Sequence, residues 1–341
     1  MTIDNELFNG NGNGGRGGAH QRGRPSPGAL LRARLHEGAA VSVGGVYDGL
    51  STLVAERFGF GALWASGLGI AAAHGVPDAS ILTMTEVRDA VRVIARTSAL
   101  PVIADCDTGF GEVRNLRRAV RDFEHAGAAG ICIEDKLFPK RNSFLPGQQL
   151  ADPHEFAGRV AAAKSSQDGE DFVIVARLES FIAGAGLDDA LRRAALYAEA
   201  GADALVVHSK STTADEVLAF AEVWRGGGRP VPLIAIPTTY HATTLHELEA
   251  GGFSMVIYAN QAVRAAVQAM EAALTDLVEQ GTSAPIEERL APVRRIFELT
   301  GEAGVDRHDA EHEAMVERLR RAEDAESRIR ASAQPAGRPA S

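Results

Sequence analysis

The sequence predicts an α/β protein folded as a single (β/α)8 barrel of the TIM type. Three observations predict it: eight short apolar runs, capped amphipathic stretches between them, and glycines placed just after helices and just before the next run. Near-continuous apolar runs are expected of parallel strands buried on both faces. A doubly wound open sheet usually has fewer strands and a Gly-rich first turn.

In chain order the runs are Ala40–Val46, Ala62–Ser66, Pro101–Asp107, Gly130–Asp135, Phe172–Glu179, Ala204–Ser209, Pro232–Pro237 and Met255–Asn260. Thr83-x-x-Glu86, Thr213-x-x-Glu216 and Thr244-x-x-Glu247 predict capping boxes, in which hydroxyl and carboxylate each satisfy an orphan amide. HAGAAG, EAGADA and EAGGFS put glycine where a helix C-cap is needed. The barrel is expected over 28–284, with a C-terminal helical extension over 285–325. Residues 1–27, rich in Gly, Asn and Arg, and the tail 326–341 are expected to be disordered. Gly10-x-Gly12-x-x-Gly15 resembles a dinucleotide fingerprint but has neither the strand before it nor the helix after it.

Composition narrows the function. A net charge of −10 argues against a nucleic-acid partner. No apolar run approaches the ~20 residues of a membrane span. Two cysteines, Cys106 and Cys132, are too few for a disulfide framework or a cysteine zinc site. No apolar secretory stretch opens the chain, so a cytoplasmic location is expected.

The run ends are unusually polar: Trp64 to Gly67, Asp105-Cys106-Asp107, Glu134-Asp135-Lys136, Arg177-Leu178-Glu179 and His208-Ser209-Lys210. In such barrels the reactive groups sit at the C-terminal strand ends. Buried carboxylates need a partner, either Arg177 and Lys136 or a metal. For Asp105, Asp107 and Glu134 together, all-oxygen ligation points to Mg2+. An extended chain would put Asp105 and Asp107 on one side. Gly109 stands where an EF-hand would need a third acid or amide. Glu134 to Ser143 reads as a mobile lid whose Lys140, Arg141 and Asn142 grip an anionic substrate.

WASGLG (64–69), DCDTGFG (105–111), EDKLFPKRNS (134–143), VARLESFIAG (175–184) and GADALVVHSK (201–210) resemble the phosphoenolpyruvate mutase branch of the isocitrate lyase superfamily. The resemblance runs from about Leu30 to about Leu299. It implies a Mg2+-dependent isomerase that interconverts phosphoenolpyruvate and phosphonopyruvate. It also implies a homo-oligomer, dimer or tetramer, in which the last barrel helix packs on a neighbouring subunit. By resemblance Asp105 is the direct metal ligand, and Asp78, Asp107 and Glu134 hold the metal largely through water. Ser66, Gly67 and Leu68 hold the substrate carboxylate and carbonyl, and Trp64 walls the pocket. Arg177 and His208 contact the phosphoryl unit. Lys140, Asn142 and Ser143 form the gate.

Lyases of the superfamily use a cysteine in the loop after the fourth strand, which this chain lacks. Phosphonopyruvate hydrolase is the nearer competitor and carries Thr in place of Asn142. An oxaloacetate decarboxylase and a degenerate, non-catalytic barrel are further alternatives; the intact gate weakens the first and the complete set of acids the second. His308-x-x-Glu311-His312 lies in a charged helical stretch and reads as a solvated face rather than a zinc site, and Trp224 as helix packing.

Overall fold

The computed structural model describes residues 25–228 and 231–332. All eight predicted strands form, as β1 (Val41–Val46), β2 (Ala62–Ala65), β3 (Val102–Asp105), β4 (Gly130–Glu134), β5 (Val173–Leu178), β6 (Ala204–Val207), β7 (Leu233–Ala235) and β8 (Phe253–Tyr258). They close into a parallel barrel in sequence order, with β1 paired to β8. Thr83 and Thr244 make the expected capping boxes, and Gly127, Gly201 and Gly252 have φ of 95°, 97° and 101°. Only glycine enters that region without a steric penalty.

Three expectations need correction. Thr213 does not cap a helix: the helix begins at Asp215 behind Ala214, Thr213 Oγ1 donates to Asp215, and the Glu216 carboxylate is taken by Ser209 Oγ. The arm ends sooner than residue 27, because Ser26 caps a helix Pro27–Leu35. The last helix, Glu302–Ser332, passes the 325 boundary set for the extension. The rest of the arm, with Gly10, Gly12 and Gly15, and the end of the tail lie outside the described residues.

Two apolar layers hold the barrel. One joins the outward side chains of the strands to the surrounding helices. The other fills the interior, from Leu31 and Leu35 beneath through Val43, Val175, Val206 and Ile257 to Trp64. The Pro27–Leu35 helix thus plugs the N-terminal end. It is fastened by Arg32, which donates to the carbonyls of Asp171 and Phe172 and pairs with Asp203 at 2.9 Å. Trp224 is buried and stacks on Phe220, and His308, Glu311 and His312 are exposed on the last helix. Among the described residues no helix is long and apolar enough to cross a membrane.

Candidate active site

Strand parity builds the site. Side chains alternate along a strand, so the interior residues Trp64, Ile103, Cys132, Val175 and Val206 put Ser66, Asp105, Glu134, Arg177 and His208 inward two residues later. These five line one cavity at the C-terminal mouth, with Trp64 as wall, together with Leu68, Asp78, Lys140, Asn142 and Ser143. Two further predicted residues, Gly67 and Asp107, stand just behind the lining. Gly67 N–H donates to Asp105 Oδ2 at 3.3 Å, and a Cβ on Gly67 would lie only 3.0 Å from that oxygen.

The loop after β4 closes the cavity. Lys140 Nζ lies 2.7 Å from Asp78 Oδ1 and 2.5 Å from Asp107 Oδ1. Asn142 Nδ2 donates to Asp78 Oδ2 at 2.9 Å. Both Asp78 oxygens are therefore committed to the loop, and Lys140 with Asn142 holds the Asp78 carboxyl below its ordinary pKa against the effect of burial. Arg141, expected to grip substrate, is exposed and does not line the cavity. Ser143 Oγ accepts from Lys136 Nζ at 2.6 Å and donates to Glu179 at 3.1 Å.

The carboxylates are unequally served. Among the described residues Asp105 makes no ion pair, and burial, with Glu134 and Asp78 nearby, raises its pKa. Among the described residues no hydrogen bond reaches Glu134 Oε1, whereas Asp107 Oδ1 is held by the Lys140 ammonium at 2.5 Å. Burial and the surrounding acids push Asp107 up to about 7, against the pull of Lys140. Such under-satisfied oxygens suit a hard cation such as Mg2+. Among the described residues no three acid, His or Cys groups form a ready cage. Asp107 is not in extended backbone as expected: its φ is +50°, just past the end of β3, and a left-handed turn rather than strand alternation aims it at the site.

Sequence reasoning gave several contributors no site role, naming Glu179 only as a polar run end and Lys136 only as an ion partner for the acids. Glu179, fully buried, is the hub of the β5–β6 side. It accepts from Arg177 Nε and from Ser143, lies 2.8 Å from His208 Nδ1, which Arg177 Nη2 also meets at 2.8 Å, and pairs with Lys136 at 3.2 Å. Those cations hold it well below the usual carboxylate range although burial opposes them. Burial and the Arg177 charge lower the His208 pKa and keep its ring neutral. Lys136, Phe144, Ile236, Thr238, Ala259 and Asn260 complete the lining. The Arg-x-Glu spacing at 177–179 was the available signal for Glu179; Ile236, Thr238, Ala259 and Asn260, just past β7 and β8, carried none.

The phosphoenolpyruvate phosphomutase family model matches residues 31–278. A solved phosphoenolpyruvate phosphomutase from Streptomyces platensis subsp. rosaceus superposes with a TM-score of 0.81 and 44% identity, covering 83% of this chain and 98% of its own. Phosphonopyruvate hydrolase from Variovorax sp. (strain Pal2) is 41% identical over 80% of this chain and 94% of its length. A solved phosphonopyruvate hydrolase in complex with oxalate and Mg++ is 39% identical, with a TM-score of 0.78, covering 84% of this chain and 99% of its own. The chain belongs to the phosphoenolpyruvate phosphomutase family, whose known members here include both a mutase and hydrolases.

Proposed function

We propose that this protein is a phosphoenolpyruvate mutase that interconverts phosphoenolpyruvate and phosphonopyruvate with Mg2+. Phosphoryl migration demands positioning and charge neutralisation far more than an acid or base. Arg177, oriented through Nε by Glu179 and through Nη2 by Ser143 and His208, would bring its guanidinium to the phosphoryl oxygens beside the neutral His208 ring. Leu68, Ser66 and Gly67 hold the carboxylate and carbonyl end against Trp64. Asp105 would hold Mg2+ directly, with Asp78, Asp107 and Glu134 behind it largely through water. When bound, Mg2+ polarises the enolate oxygen of pyruvate.

The observation that carries the reading is the closed gate. With Lys140 and Asn142 bound to Asp78 the cavity is about 50 Å³. A water needs ~10–15 Å³ on that measure, so few waters share the space. A phosphoryl group held there returns to pyruvate more readily than it meets water. The gate must open to admit substrate. A lyase reading is disfavoured because Cys106 and Cys132 are sealed in the core, and burial raises both thiols well above the usual range.

The decisive test is phosphorus NMR of the purified protein with phosphonopyruvate and Mg2+. Phosphoenolpyruvate is expected; free phosphate and pyruvate without it would assign the hydrolase activity instead. The assembly belongs to the same proposal. The helix Gln261–Gln280 has no buried residue and presents Val267, Met270, Leu274 and Val278 in a stripe. A second copy covers that stripe in a homo-oligomer. Light scattering should show a dimer or tetramer, and Met270→Glu with Leu274→Glu should shift it toward monomer.

A further inference from the structure

The turn after β3 runs from Asp107 to Gly111, and its backbone is unusual. Asp107, Gly109, Phe110 and Gly111 have φ of +50°, +90°, +62° and +127°. Glycine adopts such values freely, whereas Asp and Phe do so at a cost and only where the surroundings over-determine them. The surroundings here include one guanidinium. Arg159, from the helix Pro153–Lys164, donates Nη2 to Thr108 O at 2.5 Å and to Gly111 O at 2.8 Å. One nitrogen with two hydrogens thus ties both ends of the turn. Among the described residues Arg159 makes no ion pair, although it is half-buried. Phe110 stacks on Phe123 with ring centroids 5.6 Å apart, and a Cβ on Gly109 would lie 2.9 Å from Leu116 and 3.2 Å from Arg159. The opposite side of the turn faces the site. Asp107 O accepts from Glu134 N–H at 2.8 Å, and Asp107 Oδ1 stands beside Lys140.

We propose that Arg159 is a positioning residue: it clamps the 107–111 turn so that the Asp107 carboxylate is presented at the barrel mouth, and it thereby sets the affinity for a divalent cation without touching cation or substrate. The inference rests on the reading of Asp105, Asp107 and Glu134 as a Mg2+ site. A guanidinium spent on main-chain carbonyls does nothing for charge balance in the cavity. Its effect reaches the site through backbone geometry, and so through Asp107.

Calorimetric titration of the full-length protein with MgCl2 tests this apart from turnover. Arg159→Ala should weaken Mg2+ binding at least about tenfold, the scale typical when a group supporting a metal ligand is removed. Arg159→Lys, which keeps ammonium donors for the same carbonyls, should recover most of that loss. Arg159→Gln, which is shorter and uncharged, should fall between and keeps the series readable if the alanine variant does not fold. In an Asp107→Asn background the Arg159 substitutions should change affinity less than about twofold, because the shared path is already cut. Equal affinity in parent and both Arg159→Ala and Arg159→Gln, or full Arg159 effects in the Asp107→Asn background, would overturn the proposal. A parent protein that binds no Mg2+ overturns the metal reading and this inference with it.

Discussion

Glu134 and Asp135 are neighbours at the end of β4, and their surroundings differ completely. Glu134 faces the barrel interior, where one oxygen has no hydrogen-bond donor and its charge contacts, Lys136 and Arg177, lie 3.5 Å away. Asp135 faces the helices and is saturated. Its Oδ2 accepts from Tyr197 at 2.7 Å and from Arg193 at 3.2 Å, and its Oδ1 from Glu179 N–H at 2.9 Å. Arg193 also binds Asp189 and the carbonyl of Ala151. Two carboxylates one residue apart thus divide the work. The network with every group matched supports the loop, and the other keeps an oxygen without a donor among the described residues. At this strand end the two acids differ in saturation, not in burial.

The largest effect expected on the cavity side is that of Asp105→Ala. Activity should vanish and Mg2+ binding should be lost, while thermal stability stays close to the parent value, since among the described residues Asp105 makes no ion pair and a single long hydrogen bond. Unchanged Mg2+ affinity by titration would refute its place as the direct ligand. On the saturated side the effects should reverse. Arg193→Met leaves Asp135 without its cation, and breaking a buried pair from one side costs about 3–5 kcal/mol. A melting temperature lower by roughly 10 °C is expected, with turnover per folded molecule largely kept. A normal melt paired with a collapse of turnover would erase the division.

A smaller effect is expected at the gate. Asn142→Ala removes the bond to Asp78, and mutase turnover should fall at least about tenfold. The melting temperature should barely move, because the loop side chain adds little to the core. Full retained turnover would remove the gate assignment and the argument against a hydrolase. Asn142→Thr should raise phosphate release relative to phosphoenolpyruvate formation.

The smallest expected effect is on pH dependence. In the metal-free protein Asp107 titrates near 7, against a model-compound value of 3.8. A raised carboxyl pKa contributes stability when protonated, which is lost as pH rises through about 7. Between pH 6.5 and 8 the metal-free melting temperature should therefore fall by a few degrees. His208, whose pKa is lowered from 6.5, acts in the opposite sense only below that window. Saturating Mg2+ needs Asp107 ionised, so it should raise the melting temperature more at pH 8 than at pH 6.5. Melts at both values with and without Mg2+ give the answer; equal increments would place Asp107 outside the cation's reach.

Much of the site was legible because local rules decide it. Apolar runs, capped helices and glycine C-caps follow from short-range chemistry, and strand alternation carries Ser66, Asp105, Glu134, Arg177 and His208 to one end of one interior. Thr213 shows where a local rule fails: the Glu216 carboxylate that a capping box needs was claimed by Ser209, seven residues earlier. Asp107 failed for a related reason. Two acids separated by one residue suggested strand alternation, but β3 ends at Asp105 and the chain turns left-handed.

The sequence by itself determined the fold class, the end of the barrel at which polar groups collect, and the family. Those depend on periodicity, chain order and contiguous motifs, all of which a linear string carries. Tertiary structure alone decided the partners. That Lys140 reaches Asp78 across 62 residues, that Glu179 gathers Arg177, His208, Ser143 and Lys136, and that Arg193 and Tyr197 saturate Asp135 but leave Glu134 unfilled are outcomes of which faces meet when the barrel closes. Electrostatic pairing depends on distance in space and on solvent exclusion, and neither is written in the spacing of residues along the chain.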